Sequence, residues 1–221
     1  MLRLRTMAVT DRSRLRAATG RDDEAALVAY AGALAAAGVD AVQVRERQSD
    51  DGDLLRVVRA IVAAAHGTGC RVIVNERAHV AWAAMAHGVH LRGDGMPVRR
   101  LRAVTSSPTV IGRSTHGADR PEDVADADYA VFGTVYASDS KGAAAPVAGI
   151  EALQAFAAAC PVPVLAIGGV TLAHVDAVRR AGASGVAAID VFVQAYAAGG
   201  DRLVATVREM HAMFSDGEHT A

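Results

Sequence analysis

The sequence is short of the features that mark several large classes of protein. Its 221 residues hold two cysteines, with no CxxC pair and no histidine at metal-ligand spacing. Cys70 and Cys160 therefore read as free thiols rather than a disulfide. A surplus of one charge is missing too: 23 basic against 24 acidic residues give a formal net charge of -1, whereas a nucleic-acid footprint needs a basic face or stripe. The basic cluster Arg99-Arg100-Leu101-Arg102 reads as a solvated helix face. No apolar run reaches the roughly 18 residues of a membrane span, and the start Met1-Leu2-Arg3-Leu4-Arg5 lacks the apolar stretch of a signal peptide. These absences predict a cytoplasmic protein that binds neither nucleic acid nor membrane, and they leave a homo-oligomer open.

What is present is a repeating pattern. Eight short apolar runs recur, at Leu2–Val9, Ala41–Val44, Arg71–Val74, Gly88–Leu91, Thr109–Gly112, Tyr129–Phe132, Pro163–Ile167 and Gly185–Ile189. Helix-like stretches separate most of them, among them Asp23–Ala37, a span reaching His66, Ala78–Met85, Val98–Val104, Gly149–Ala159, Leu172–Ala181 and Asp201–Phe214. Continuous apolar strands alternating with helices imply a parallel sheet covered on its outer face, and eight such units imply closure into a (β/α)8 TIM barrel. An open doubly wound sheet is disfavoured because no GxGxxG follows the first strand. The composition, 52% hydrophobic and 21% charged, suits one buried core. Residues 1–221 thus read as a single domain with a frayed tail over 215–221 and a lid-length loop over Ala137–Ala148.

In such a barrel the C-terminal strand ends form one rim, and polar residues cluster there. Gly168 and Gly169 follow strand seven, where backbone N–H groups approach an anion closely. Asp190, after strand eight, opposes that reading, since a carboxylate repels a phosphate unless it is protonated, paired or turned away. Arg45 and Arg47, with Lys141, are candidate carboxylate or phosphate ligands, and Gln43 and Asn75 add neutral donors and acceptors. Salt bridges to Glu46 or Glu76 are the alternative fate of the two arginines. His116, past strand five, can move a proton near neutral pH without a metal. His90, among apolar neighbours, reads as a structural, hydrogen-bonded histidine. Glu76 and Asp94 are the only carboxylate pair on adjacent rim loops that could take a metal.

Seven ordered segments resemble the thiamine phosphate synthase and TenI superfamily of thiamine biosynthesis: Val42–Arg47, Val72–Arg77, His87–Leu91, Ile111–His116, Ala127–Lys141, Pro163–Val170 and Ala181–Ile189. The resemblance implies a thiazole phosphate carboxylate as small-molecule substrate. It makes His116 the acid/base and Arg45, with Gln43 and Asn75, the carboxylate ligands. Backbone groups at Gly168, Gly169 and Ile189 would hold the phosphate, with Ser114 and Lys141 completing the rim. The synthase branch holds magnesium with two aspartates, and here those segments read Asn75-Glu76 and Arg92-Gly93-Asp94-Gly95. Glu76 is a longer carboxylate, and the second aspartate position falls on Gly95. Arg47 stands where the synthases carry Lys, and Ser138 and Ser140 stand where they carry a Thr pair.

These departures favour the TenI branch, a thiazole tautomerase that needs no cofactor. The alternative is a thiamine phosphate synthase with an altered magnesium site at Glu76 and Asp94. A third reading is a barrel that binds a thiazole or thiamine metabolite without turnover.

Overall fold

Three aspartates fix where the first helices begin. Asp11, Asp23 and Asp50 each accept a hydrogen bond from a backbone N–H three residues on, which satisfies an otherwise orphaned donor and contributes about 1 kcal/mol apiece. In the computed structural model, which describes residues 3–105, 109–117, 119–137 and 147–215, they cap α1 (Arg12–Thr19), α2 (Glu24–Ala36) and α3 (Asp51–Ala65). The apolar runs supply the strands β1 (Thr6–Val9), β2 (Ala41–Val44), β3 (Arg71–Asn75), β4 (Gly88–Leu91), β5 (Val110–Thr115), β6 (Tyr129–Gly133), β7 (Val164–Ile167) and β8 (Gly185–Ala188). The remaining helices are α4 (Ala78–Ala83), α5 (Val98–Val104), α6 (Gly149–Ala159), α7 (Val175–Arg180), α8 (Asp190–Ala197) and α9 (Gly200–Ser215), with 3-10 turns at Pro121–Val124 and Leu172–His174.

Each strand pairs in parallel with the next, and β8 closes on β1. The expected (β/α)8 barrel is the observed one. Because alternate residues of a strand face opposite sides, two cores result. Leu4, Met7, Val9, Ala41, Ile73, Tyr129, Val131, Leu165 and Ala187 pack inside the barrel, while a larger layer joins the strands to the helices. The interior needs glycine at one point: a Cβ on Gly112 would stand 2.0 Å from Tyr129 Cζ, so this glycine makes the room that the buried phenol fills.

Two helices were not expected. α1 is arginine-rich and buries only Leu15, so it shows no apolar stripe to read. α8 begins directly after the eighth strand with Asp190-Val191-Phe192-Val193, whose β-branched character continues the strand pattern. The expected strand eight accordingly ran one residue too far, to Ile189. Strand five runs further than expected, to Thr115, because its last residues are polar. Ser215, placed in the frayed tail, instead ends α9 and its hydroxyl donates to the His211 carbonyl at 2.9 Å. Both cysteines are free, Cys70 buried and Cys160 half-buried. No helix among the described residues is long and apolar enough to cross a membrane.

The end of the barrel opposite the mouth is stitched by Asp40. Its Oδ2 accepts from the amides of Arg5 and Thr6 at 2.8 and 2.9 Å and lies 3.2 Å from His211 Nε2. Burial raises this carboxyl, but the bonds from His211 and the two amides outweigh it and hold it below the ordinary carboxylate range.

Candidate active site

Strand alternation carries polar side chains from β2, β3, β4 and β5 into the C-terminal mouth. Gln43 lies two residues beyond the interior Ala41, and Asn75 two beyond Ile73. His90 stacks on the interior Tyr129 with ring centroids 5.6 Å apart. Its Nδ1 is 3.1 Å from the Tyr129 hydroxyl and its Nε2 is 2.8 Å from Ser114 Oγ. Burial pushes this imidazole down to about 3, so it is neutral at physiological pH. His90 is buried and hydrogen-bonded, as expected, and one of its partners, Ser114, is a candidate ligand group.

His116 lies just beyond β5 and is exposed. Its backbone N–H donates to Asp119 Oδ2 at 2.7 Å, and its Nδ1 is 2.8 Å from the Gly133 carbonyl oxygen. A carbonyl can only accept, so Nδ1 carries the hydrogen and Nε2 presents a lone pair. The arrangement suits a proton acceptor.

Arg45 and Arg47 do not pair with Glu46 or Glu76. Glu46 instead takes Arg12 Nε at 2.8 Å and the Thr10 hydroxyl at 2.9 Å, and Glu76 faces Arg92. Among the described residues neither the Arg45 nor the Arg47 guanidinium has an ion-pair or hydrogen-bond partner. Arg45 is half-buried, and desolvation, with the charge of Arg47, lowers its pKa. Arg47, Arg77 and Arg92 line a cavity of about 510 Å³ together with Glu46, Asn75 and Glu76. Arg77 is 3.4 Å from Asp51 and Arg92 is 2.6 Å from Asp94, so Arg47 is the lining cation left to meet an anion.

The carboxylates proposed for a metal are already engaged. Arg92 Nη2 is 2.6 Å from Asp94 Oδ2, and its Nε is 3.9 Å from Glu76 Oε1. One guanidinium therefore stands against both carboxylates, where a magnesium ion would have to compete with it. No cluster of three or more metal-ligating side chains occurs among the described residues. A magnesium ion held together with a substrate diphosphate needs only one or two carboxylates, and Glu76 and Asp94 are the pair that would supply them if Arg92, itself half exposed, turned away.

Gly168 and Gly169 follow β7 with φ of +98° and +61°. A Cβ on Gly168 would lie 2.5 Å from Thr134 Cγ2, and one on Gly169 would lie 2.3 Å from the Ala137 carbonyl oxygen. These glycines thus also let the segment after β6 lie against the loop, a packing reason beyond the anion reading. Ile189 precedes α8 and Asp190 opens it. Asp190 is therefore not a strand-end carboxylate as expected. It sits at the positive end of a helix dipole and 3.6 Å from Arg14 Nε, and both interactions offset its charge. Lys141, Ser138 and Ser140 lie outside the described residues.

Fold and mouth together define a (β/α)8-barrel enzyme with polar groups from several strands gathered at the C-terminal rim. The chain belongs to the thiamine monophosphate synthase family (TMP-TENI), whose sequence model matches residues 9–192. Thiamine-phosphate synthase of Anaeromyxobacter dehalogenans is 39% identical over 170 residues, covering 76% of each chain. The putative thiamine-phosphate synthase of Geobacter sulfurreducens is 38% identical over 187 residues, covering 84% of each. Among solved structures, thiamine phosphate pyrophosphorylase from Pyrococcus furiosus superposes with a TM-score of 0.76 at 22% identity over 96% of both chains. Mycobacterium tuberculosis tryptophan synthase follows at 0.66 and 20% identity, covering 96% of this chain and 93% of that one. At such identities the structural likeness speaks for the fold alone. These relatives are named thiamine-phosphate synthases, the reading that the departures from the synthase motifs set behind the tautomerase.

Arg12, Arg14, Arg92 and Tyr129 escaped the sequence analysis. Arg12 and Arg14 sit on the unexpected α1. Tyr129 lay in an apolar run, and its only signal was the small residue Gly112 two places before Ser114.

Proposed function

We propose that this barrel is a thiazole tautomerase of thiamine biosynthesis, acting on a thiazole phosphate carboxylate. The observation that carries the choice is Arg92, whose guanidinium faces both Glu76 and Asp94 where the synthase reading requires a metal. In this reaction His116 Nε2 takes a proton from the saturated carbon of the non-aromatic ring. The resulting imidazolium stays bonded to the Gly133 carbonyl and returns the proton at the far end of the conjugated system. The product gains an aromatic ring with its atoms and electrons unchanged in number, so no oxidant is consumed. Arg45 holds the substrate carboxylate with its two-pronged guanidinium, with Gln43 and Asn75 beside it and Arg47 on the outer rim. Backbone groups at Gly168, Gly169 and Ile189 hold the phosphate, with Asp190 kept from repelling it by Arg14. Ser114 and Lys141 complete the ligand shell.

A second reading, thiamine phosphate synthase, is favoured by the names of the curated relatives. One assay separates the two. The protein is given the thiazole tautomer alone, and separately the aromatic thiazole phosphate carboxylate with the aminopyrimidine diphosphate, each with magnesium and with chelator. Aromatisation that survives the chelator supports the tautomerase. Magnesium-dependent release of diphosphate would replace it with the synthase, and binding without turnover in either mixture would leave a binding protein.

A further inference from the structure

We propose that Tyr129 and His90 are positioning residues that fix the direction of the Ser114 hydroxyl, holding its hydrogen toward the mouth as a donor. The inference rests on the mouth being the ligand site proposed above, and its first test needs no ligand.

His90 is 3% exposed, and among the described residues no carboxylate bonds its ring. Neutral imidazole carries one N–H and one lone pair, so the chain Tyr129–His90–Ser114 has two arrangements. In one, the Tyr129 hydroxyl donates to Nδ1 and Nε2–H donates to Ser114 Oγ. In the other every bond is reversed: Nδ1–H donates to the phenol oxygen and the Ser114 hydroxyl donates to Nε2. The distances of 3.1 and 2.8 Å permit both. Burial decides between them. Tyr129 is fully buried, and among the described residues its hydroxyl has no partner other than His90. The reversed chain would leave the phenol hydrogen unpaired in the barrel interior, a cost of about 1–3 kcal/mol. Burial also keeps the phenol protonated, since it raises the Tyr129 pKa far above its usual value.

The first arrangement follows, with a chemical consequence. Ser114 Oγ receives the His90 hydrogen and its own hydrogen is left for the half-buried mouth. Ser114 then selects acceptors: a phosphate or carboxylate oxygen, or an unprotonated ring nitrogen. A ligand presenting an N–H at that point finds only the second lone pair of Oγ and leaves the serine hydrogen unpaired, so it is the poorer match. Gly112 belongs to the same device, because the phenol occupies the place of its missing Cβ.

The decisive experiment has two arms. Nitrogen-15 NMR of the full chain with labelled histidine reads the His90 tautomer in the free protein; a bare Nδ1 and a protonated Nε2 are expected. A protonated Nδ1 would overturn the proposal. The second arm measures binding of the aromatic thiazole phosphate carboxylate by calorimetry in wild type, Tyr129→Phe, Ser114→Ala and the double variant. Tyr129→Phe is expected to weaken binding about three- to tenfold in the wild-type background and to have no further effect once Ser114 is alanine. His90→Gln, whose amide can still donate, is expected to weaken binding less than His90→Leu. Equal losses from Tyr129→Phe in both backgrounds would mean that the phenol supports only the fold, and would overturn the relay. No binding by the wild type would count against the thiazole reading, while the tautomer would still decide the direction of the chain.

Discussion

The two halves of the barrel mouth are built differently. From β2 to β5 the innermost layer is made of side chains that donate and accept: Gln43, Asn75, His90 and Ser114. From β6 through β8 to β1 the same layer is Val131, Ile167, Ile189 and Val9, and the polar groups are backbone atoms of Gly168, Gly169 and the head of α8. Under the proposed function one half would recognise a ligand by side chains that can be tuned singly. The other would do so by a chain path, which depends on glycines and on a helix start. A side chain can be replaced at the cost of its own contacts, but a chain path fails as a unit.

The largest effect is expected on the side-chain half. His116→Asn should lower turnover of the thiazole tautomer by about 10²–10⁴-fold, as loss of a positioned acid/base does, with ligand affinity and thermal stability near wild type. Unchanged turnover would remove His116 from the chemistry. On the backbone half, Gly169→Ala should act through the fold. The new Cβ meets the Ala137 carbonyl at 2.3 Å from a backbone with φ of +61°, and overpacking with left-handed strain costs about 2–4 kcal/mol. Urea unfolding would read this as a lower midpoint. A midpoint at the wild-type value would show that the loop has a second conformation.

The Asp40 stitch lies outside both halves and serves as a control. Its folded pKa is depressed, so its contribution to stability is present above the unfolded value of about 4 and is lost as pH falls through the lower folded value. Asp40→Asn should cost about 2 kcal/mol at pH 7 and flatten the acid limb of the stability profile while leaving ligand affinity alone. An unaltered acid limb would place the sensitivity elsewhere.

Returning to the mouth, Arg45→Lys should weaken binding of the thiazole phosphate carboxylate about tenfold, because an ammonium cannot make the two-pronged contact. Equal affinity by calorimetry would make Arg45 structural. The smallest effect is expected at Asp190. With Arg14 and the helix terminus already offsetting its charge, Asp190→Ser should tighten the phosphate ligand by only about threefold. A much larger gain would mean that Arg14 does not shield the carboxylate when ligand is bound.

The barrel was legible because its signal is repetition: eight apolar runs at strand length leave little choice of architecture. Ends were read well where a cap marks them, as at Asp23 and Ala37, the two caps of α2. They were misread where one element runs into another, as at Ile189-Asp190. Candidate groups at strand ends were legible because the fold sends them all to one rim. Their partners were not, since pairing depends on side-chain reach between elements far apart in sequence. Arg12 with Glu46, Arg92 with Glu76 and Tyr129 with His90 are of that kind. The charge of Asp190 was visible, but its neutralisation depended on α1, a helix without an apolar stripe.

The central claim is that His116 moves a proton in a mouth whose carboxylate pair is held by Arg92. It is tested most directly by running the thiazole tautomer to product in deuterium oxide with chelator present. Mass spectrometry and proton NMR should find aromatic product formed by the wild type and not by His116→Asn, its newly protonated carbon carrying the substrate's own hydrogen, diluted by deuterium only as far as the exposed His116 exchanges with solvent between the two transfers. No aromatic product from the wild type in chelator, or the same product from both proteins at equal rates, would contradict it.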